Sequence, residues 1–466
     1  MTWVEAVVGV DLGTTSTKVL VQDVDGRQLA LVDASTSWST TATGGTEITT
    51  TRLEELLLGT LRAAVEQAEM RAGTLRILGV AITGFAESGV LLDSSGQACA
   101  PVIAWFDRRG EEQIADLTSR RPDFARQFVR RTGLRWSSQA SLAKLLWFAD
   151  QGLTLTSGHR WASIPEYLVH LLGGDLISEP SLASRTGLLD QNTQQVWRDG
   201  VASVGLPASL LPDPALAGTA IGTLRFAGLP KCLQGAALTV AGHDHPVAAI
   251  GVGATGDDEL FNSTGTADVI ARSLRGLVTD AQREELVGHG VSVGSHILPE
   301  TTLILGGVRG GLLLRRVLTL LGGDDDGAAR DRLDAAALQI DALPAGLRIS
   351  GAGQTGGDVV LQIRDDANPA AVWAAATRYT AAEIRNLLSA LHLVIRPHRR
   401  AIASGGWTRM ASVRQAKAAA IEHLEFSAVP EPGVLGAAIL ALAAATQQAR
   451  ADRPDLRYHH HVEGVP

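Results

Sequence analysis

Two runs of β-branched residues, each bent around a glycine and hydroxyl-rich tip, recur about half a chain apart. The first enters through Val7-Val8-Gly9-Val10, turns over Asp11-Leu12-Gly13-Thr14-Thr15-Ser16-Thr17-Lys18 and leaves through Val19-Leu20-Val21. The second is Phe261-Asn262-Ser263-Thr264-Gly265-Thr266-Ala267-Asp268-Val269-Ile270. Each predicts a β-hairpin. A polar turn accounts for either one alone, because Gly and Thr are ordinary turn residues. The repetition constrains more: it predicts a duplicated nucleotide-binding unit. At 466 residues the chain suits two domains of roughly 200 to 250 residues, and the spacing divides it into 1–246 and 247–466.

The first tip holds four hydroxyls, one carboxylate and one ammonium within eight residues. Backbone N–H groups in a tight turn form an anion-binding concavity, and Asp11 can hold Mg²⁺ directly or through water, since Mg²⁺ takes oxygen ligands and keeps much of its hydration. The pattern therefore suits a polyphosphate and its metal ion.

Composition narrows the classes of function. A net charge of −8 argues against nucleic acid, whose backbone needs a concentrated basic surface. The pairs Arg108-Arg109, Arg130-Arg131 and Arg399-Arg400 read as solvated faces. Cys99 and Cys232 make neither a disulfide framework nor a CxxC motif, which points to a cytoplasmic protein. Glu5 and Asp11 interrupt any signal-peptide core. The apolar stretch 433–446 falls short of the roughly 20 residues of a membrane span, so no membrane role is expected. The His459-His460-His461 run reads as a solvated tail.

Residues 50–71 carry apolar positions at Leu53, Leu56, Leu57, Leu61, Ala64, Val65 and Ala68, a helical period. Ile77-Leu78-Gly79-Val80-Ala81-Ile82 reads as a buried strand ending at Thr83-Gly84. Hairpin, helix and strand make an α/β arrangement, in which ligands sit beyond the carboxyl ends of strands, here at Phe85, Ala86, Glu87 and Ser88. Further helices are expected over 142–148, 166–172, 324–338, 369–396 and 410–420, and a last Ala-rich helix after Pro430-Glu431-Pro432-Gly433.

Leu238-Thr239-Val240 predicts a strand that turns through Ala241-Gly242-His243-Asp244-His245-Pro246 into a helix, with Pro246 in its first turn. A carboxylate at such a turn, preceded by small Gly242, can accept a proton from a substrate hydroxyl as a phosphoryl group arrives. An N-cap aspartate is the plainer role for Asp244. His243 and His245 bracket it at a spacing too sparse for a zinc site. Glycine pairs carry little weight singly, since roughly five Gly-Gly pairs arise by chance among 50 glycines. Gly405-Gly406 gains weight only from its position after a long helix and before another, and Gly306-Gly307 and Gly310-Gly311, with Arg309 between them, are similar.

Taken in order, the Asp11-to-Lys18 loop, Trp105-Phe106-Asp107-Arg108-Arg109, Lys144-Leu145-Leu146-Trp147, Ser181-Leu182-Ala183-Ser184-Arg185-Thr186, Gly242-His243-Asp244, Ser263-Thr264-Gly265-Thr266, Ser404-Gly405-Gly406 and Glu431 with Gly436-Ala437-Ala438 resemble the FGGY carbohydrate kinases of the actin, sugar kinase and Hsp70 ATPase superfamily. The resemblance implies an α/β fold of two actin-like (ribonuclease H-like) ATPase domains around a central cleft, with ATP and Mg²⁺ held mainly by the second and a small carbohydrate mainly by the first. By the same resemblance Asp244 is the general base, and Asp11 and Asp244 lie at the metal. Thr14 and Thr15 line the γ-phosphate within the loop that also offers Gly13, Ser16 and Lys18. Ser263, Thr264, Gly265 and Thr266 take the β- and γ-phosphates, and Gly310, Gly405 and Gly406 lie on the nucleotide side. Glu87, Trp105, Gln139 and His245 fall at positions that contact the polyol.

Departures bear on the substrate. Gly84-Phe85-Ala86 replaces both the Met-His of xylulokinases and the Asn-Gln-Arg of glycerol kinases, and Ile349-Ser350-Gly351-Ala352-Gly353-Gln354 replaces a Pro-Tyr-Leu and Gly-Glu-Arg segment. The expected activity is transfer of the γ-phosphate of ATP to a hydroxyl of a pentulose, short polyol or related carbohydrate. The alternatives are a non-catalytic ATP-binding regulator or actin-like assembly protein on the same fold, and a member that has lost sugar turnover through the segment after Ile349. A homodimer is the default expectation for assembly.

Overall fold

The computed structural model describes residues 3–323, 326–350, 360–364 and 367–451. Gly351-Ala352-Gly353-Gln354 and His459-His460-His461 lie outside the described residues.

Strands β1 (Val4–Leu12), β2 (Ser16–Asp23) and β3 (Gln28–Ser35) form an antiparallel meander, and helix α1 (Thr50–Ala72) crosses to β4 (Leu75–Gly84), which lies parallel to β1. Strand β5 (Ala237–His243) adds parallel to β4, giving the order β5-β4-β1-β2-β3, and α2 (Asp244–Gly251) follows at once. The α1 period is borne out: Leu53, Leu57, Leu61, Ala64, Val65 and Ala68 are buried in the core of this sheet. Thr49 Oγ1 caps its first turn on Arg52 N, and Gly73, at φ 80°, ends it where the left-handed region favours glycine.

The second unit repeats that topology. Strands β6 (Glu259–Thr264), β7 (Asp268–Arg275), β8 (Ser292–Ser295) and β9 (Thr301–Val308) are joined by β10 (Arg400–Ser404) and β11 (Leu424–Phe426) in the order β8-β9-β7-β6-β10-β11. As in the first sheet, a hairpin and an antiparallel third strand lie on one side of the first strand and two parallel strands on the other. Both expected hairpins are present, paired Leu12 with Thr17 and Thr264 with Asp268 across their tips.

Three further helices matter for the site: α3 (Gly310–Leu320), α4 (Ala411–Ala418) and α5 (Pro432–Ala451). Helix α5 runs longer than the 433–446 stretch and, among the described residues, is the one helix long and apolar enough to cross a membrane by composition. Its Val434, Ala437, Ala438, Ala441 and Ala444 are nevertheless buried. They pack on the first sheet through glycines: a Cβ on Gly9 would overlap the Val434 carbonyl, one on Gly79 that of Ala441, and one on Gly436 that of Val247 in α2. The C-terminal helix thus returns to the N-terminal sheet, and α2 runs through the proposed division at 246.

One expectation is corrected. Arg108 is a solvated cation, but Arg109 is not: its guanidinium bonds Asp107 Oδ1 at 3.0 Å and Glu47 Oε2 at 2.6 Å and lies 5.2 Å from the centre of the Trp147 ring. Composition shows the charge pair but not the carboxylates the fold brings to it.

Candidate active site

The parallel strands β1, β4 and β5 end side by side. Thr83 pairs with Asp11 on one side and with Gly242 on the other, and its Oγ1 donates to the Gly242 carbonyl at 2.6 Å. The chain turns from β5 into α2 within one residue, which is possible because Gly242 takes φ 103° and leaves room where a Cβ would lie 2.5 Å from Ile297 Cγ2 and 2.8 Å from Ser181 Oγ. Asp244 therefore opens α2, and its Oδ1 accepts the His245 N–H at 2.7 Å. His243 lies buried behind it with Nε2 3.2 Å from Asp244 Oδ1, and burial pushes its pKa down to about 3 against the pull of Asp244, so the ring is neutral. His245 Nε2 stands 3.9 Å from the same oxygen.

Asp11, across Thr83 of β4, feels the charge of this carboxylate. Burial, and then the negative charge of Asp244, raise its pKa to about 7, opposed by Lys18 and reinforced by Glu431. The start of α5 presses on it: a Cβ on Gly433 would overlap Asp11 Oδ2. Lys18 Nζ donates to Glu431 Oε2 at 2.5 Å, tying the first hairpin to the entry of α5.

At the tip, Gly13 N–H donates to Ser16 O at 3.0 Å, and a Cβ on Gly13 would meet that oxygen at 2.8 Å. The Thr14 carbonyl accepts from Trp38 Nε1 at 2.8 Å and its Oγ1 from Trp105 Nε1 at 3.0 Å, while Thr15 is exposed. Trp105, expected against carbohydrate, braces the first hairpin tip, within an aromatic group of Trp38, Phe85 and Phe106. Glu87 is half-buried and its Oε1 accepts from Arg185 Nε at 2.8 Å and Nη2 at 2.6 Å. Gln139 is exposed, two residues before Ser141, whose Oγ donates to the Glu87 carbonyl at 2.8 Å.

In the second unit three segments converge at the β6–β7 tip. A Cβ on Gly311, at the start of α3, would overlap the Gly265 carbonyl, one on Gly405 (φ 121°) that of Thr264, and one on Gly310 would lie 3.1 Å from Asp268 Cβ. Gly406 faces open space and Thr266 is exposed. Gly265 N–H closes the tip on Ala267 O at 3.0 Å, and the buried Thr264 Oγ1 has no partner. Ser263 precedes it, half-buried. Beneath, Lys417 of α4 donates to Asp268 Oδ2 at 2.6 Å and Asn262 Oδ1 at 2.7 Å, and Asn262 Nδ2 to Asp268 Oδ1 at 2.7 Å. This closed ring of buried, mutually satisfied groups fixes the tip from behind.

Sequence reasoning assigned no role to Arg185, Lys417 or Trp38. Arg185 and Glu431 stood inside segments that carried the resemblance, whereas Trp38 gave no signal.

The family model described as the N-terminal domain of the FGGY family of carbohydrate kinases matches residues 6–251. A glycerol kinase of Acinetobacter baylyi is 30% identical over 227 residues, 46% of this chain and 45% of that protein. An autoinducer-2 kinase of Salmonella choleraesuis is 26% identical over 301 residues, 62% of this chain and 54% of that protein. The chain thus spans about half the length of these curated relatives. A xylulose kinase from Rhodospirillum rubrum has the same fold, with a TM-score of 0.80 at 22% identity over 97% of this chain and 91% of that one. A glycerol kinase from Plasmodium falciparum, solved with ADP, superposes with a TM-score of 0.81 at 18% identity over 95% and 90%. The repeated sheet order, the paired hairpin tips and these matches lead to one statement: the chain belongs to the FGGY family of carbohydrate kinases.

Proposed function

We propose that the protein transfers the γ-phosphate of ATP to a hydroxyl of a small carbohydrate, with Asp244 as general base. The observation that carries this reading is the pair Asp11 and Asp244, one at the end of β1 and one just past the end of β5 with β4 between, whose carboxylates feel each other's charge beside a glycine-shaped hairpin tip. Asp244 suits the base: the His245 N–H bonds its Oδ1, which leaves Oδ2 to accept a hydroxyl proton. Glu87, Trp105, Gln139 and His245 are proposed to hold the carbohydrate, by hydrogen bonds and by packing of the indole.

The residues fit a magnesium nucleotide. Mg²⁺ takes oxygen ligands and keeps much of its water, so two carboxylates with phosphate oxygens suffice for it. Asp11 and Asp244 would hold Mg²⁺, which supplies neutralisation of phosphate charge. Gly310, Gly311 and Gly405 let the start of α3 and the 405–406 turn close on the second hairpin tip, and a phosphate would be held beside that tip, at Gly406, which faces open space, and at the start of α3. Thr14, Thr15, Ser16 and Lys18 would face the same group from the first hairpin, and Ser263 and Thr266 from the second. Positioning and charge stabilisation supply most of the rate in such transfers.

The test is ADP release from Mg²⁺-ATP over glycerol, D-xylulose, L-fuculose, autoinducer-2 and D-gluconate, run beside Asp244→Asn. Release with one compound class, reduced at least about a thousandfold in the variant, is the expected result. ATP binding with no release across the panel, or undiminished release by the variant, would overturn the assignment.

A further inference from the structure

Arg185 touches a proposed carbohydrate residue, Glu87, and the opposite unit, at Ser292, at once. It follows the short helix Pro180–Ala183, and its guanidinium is largely buried with Glu87. Two of its N–H groups converge on a single Glu87 oxygen, Oε1, at 2.8 and 2.6 Å, and Nη1 donates to Ser292 Oγ at 2.5 Å. Ser292 opens β8, the edge strand of the second sheet.

That strand runs along the first unit for its whole length. Val293 N–H donates to the Gly133 carbonyl at 2.8 Å, and Ser295 Oγ donates to Gln194 Oε1 at 2.7 Å. A Cβ on Gly294 would lie 2.5 Å from Ser184 Oγ, the residue before Arg185. Ile297 then packs against Gly242, two residues before Asp244. The charge of Arg185 is also felt at His243. One continuous seam therefore joins Glu87, the edge of the second sheet and the turn that carries Asp244.

We propose that Arg185 is a positioning residue that couples the carbohydrate carboxylate Glu87 to the second unit. The inference rests on the reading of Glu87 as a carbohydrate ligand. With Oε1 held by two charge-assisted hydrogen bonds, Glu87 has a fixed rotamer and presents Oε2 alone to a substrate hydroxyl. A hydroxyl seated on Oε2 then bears, through Arg185 and Ser292, on how β8 docks against residues 133 and 184. Binding energy at the carbohydrate is in this way transmitted to the arrangement of the two units, which is the route by which a kinase exposes its nucleotide phosphate to a sugar hydroxyl and not to water.

The test is hydrogen–deuterium exchange of the peptide covering 291–297 in the unliganded full chain, comparing wild type, Arg185→Gln, Arg185→Lys and Ser292→Ala. The Val293 amide bonded across the seam is the reporter. Exchange in Arg185→Gln faster by about tenfold, with exchange over the α1 peptide unchanged, is expected, since local opening rather than global unfolding is affected. Ser292→Ala should quicken it less, and Arg185→Lys should not restore it, because an ammonium cannot make the forked contact. Kinetically, Arg185→Gln should raise the carbohydrate KM about tenfold or more and leave the ATP KM within about twofold. Wild-type exchange at 291–297 in a stably folded Arg185→Gln protein overturns the coupling, whatever the kinetics. Accelerated exchange with no carbohydrate turnover by the wild type leaves the Arg185–Ser292 seam standing and overturns the kinase reading, and with it the carbohydrate end of the coupling.

Discussion

Lys18 Nζ lies 2.5 Å from Glu431 Oε2, an ion pair between residues 413 positions apart that closes the first hairpin onto the entry of α5. Half-exposed, it adds at most about 1 kcal/mol to stability. Its consequence lies next door, at Asp11, whose pKa of about 7 is lowered by Lys18 and raised by Glu431.

An Asp11 that holds its proton up to about pH 7 must lose it before it can serve a cation. The apparent Mg²⁺ constant is therefore expected to be flat above pH 7.5 and to weaken by about tenfold per pH unit below the Asp11 pKa. Lys18→Met should move the break upward, because it removes the favourable charge and leaves Glu431 unneutralised. Glu431→Gln should move it downward. Titrating Mg²⁺ dependence of ADP release between pH 6 and 8.5 reads all three, and a constant independent of pH would remove Asp11 from the metal.

Glycine substitutions should separate close approach from chain flexibility. A Cβ on Gly9 would overlap the Val434 carbonyl and the Ala438 backbone, so Gly9→Ala must displace α5 from the sheet, at a cost on the order of 3 kcal/mol. Gly59, in the middle of α1, has nothing within 4 Å of an added Cβ and an ordinary helical backbone. Gly59→Ala should stabilise by about 1 kcal/mol. Urea unfolding of the two variants checks both signs.

The same contrast explains what the sequence made legible. The hairpins could be read because alternating β-branched residues and a glycine tip are local signals, and α1 because its buried leucines keep a 3.6 period. Asp244 was legible from Gly-x-Asp followed by Pro246, a strand-to-helix turn written in adjacent residues. The partners of those residues were not. Glu87 and Arg185 stand 98 positions apart, and Lys417 and Asp268 149. Gly9 and Gly79 resemble weak points in strands until α5 is seen to need them. Arg109 was taken for a solvated cation because its partner Glu47 is 62 residues away and nothing local shows that Asp107, two residues before it, turns back to pair with it.

Lys144 should prove a staple for the Trp105 loop. Fully buried, with its pKa pushed down to about 8 chiefly by burial, it donates to the carbonyls of Asp107 at 2.5 Å, Arg109 at 3.1 Å and Ser138 at 2.7 Å. Lys144→Met keeps the aliphatic volume and strands three acceptors, which should cost on the order of 3 kcal/mol. The loosened loop also frees the indole that braces Thr14, so the carbohydrate KM should rise more than the ATP KM does. A folded variant with both constants unchanged would separate Lys144 from the site.

Glu166 and Glu179 give the protein a stability profile that falls toward alkaline pH. Both are buried: Glu166 accepts the N–H of Ser163 at 2.7 Å and of Glu179 at 2.6 Å, while Glu179 Oε1 has no partner. Burial raises their pKa values to about 8 and about 7 from an ordinary 4.5. Between pH 4.5 and those values the folded state keeps protons that the unfolded chain has released, so stability is lost as pH rises, by up to about 1.4 kcal/mol per pH unit for each proton. Asp11 acts in the same direction. His243 and His296, held neutral with pKa values of about 3 and about 4, act oppositely below pH 6.5, where only the unfolded chain takes up the proton. The expected result is a maximum in the mildly acidic range and a decline through pH 8 that Glu179→Gln makes shallower between pH 5 and 7. Urea unfolding at pH 5, 6, 7 and 8 measures it, and wild-type stability rising across that range would mean that both carboxyls are ionised in the fold.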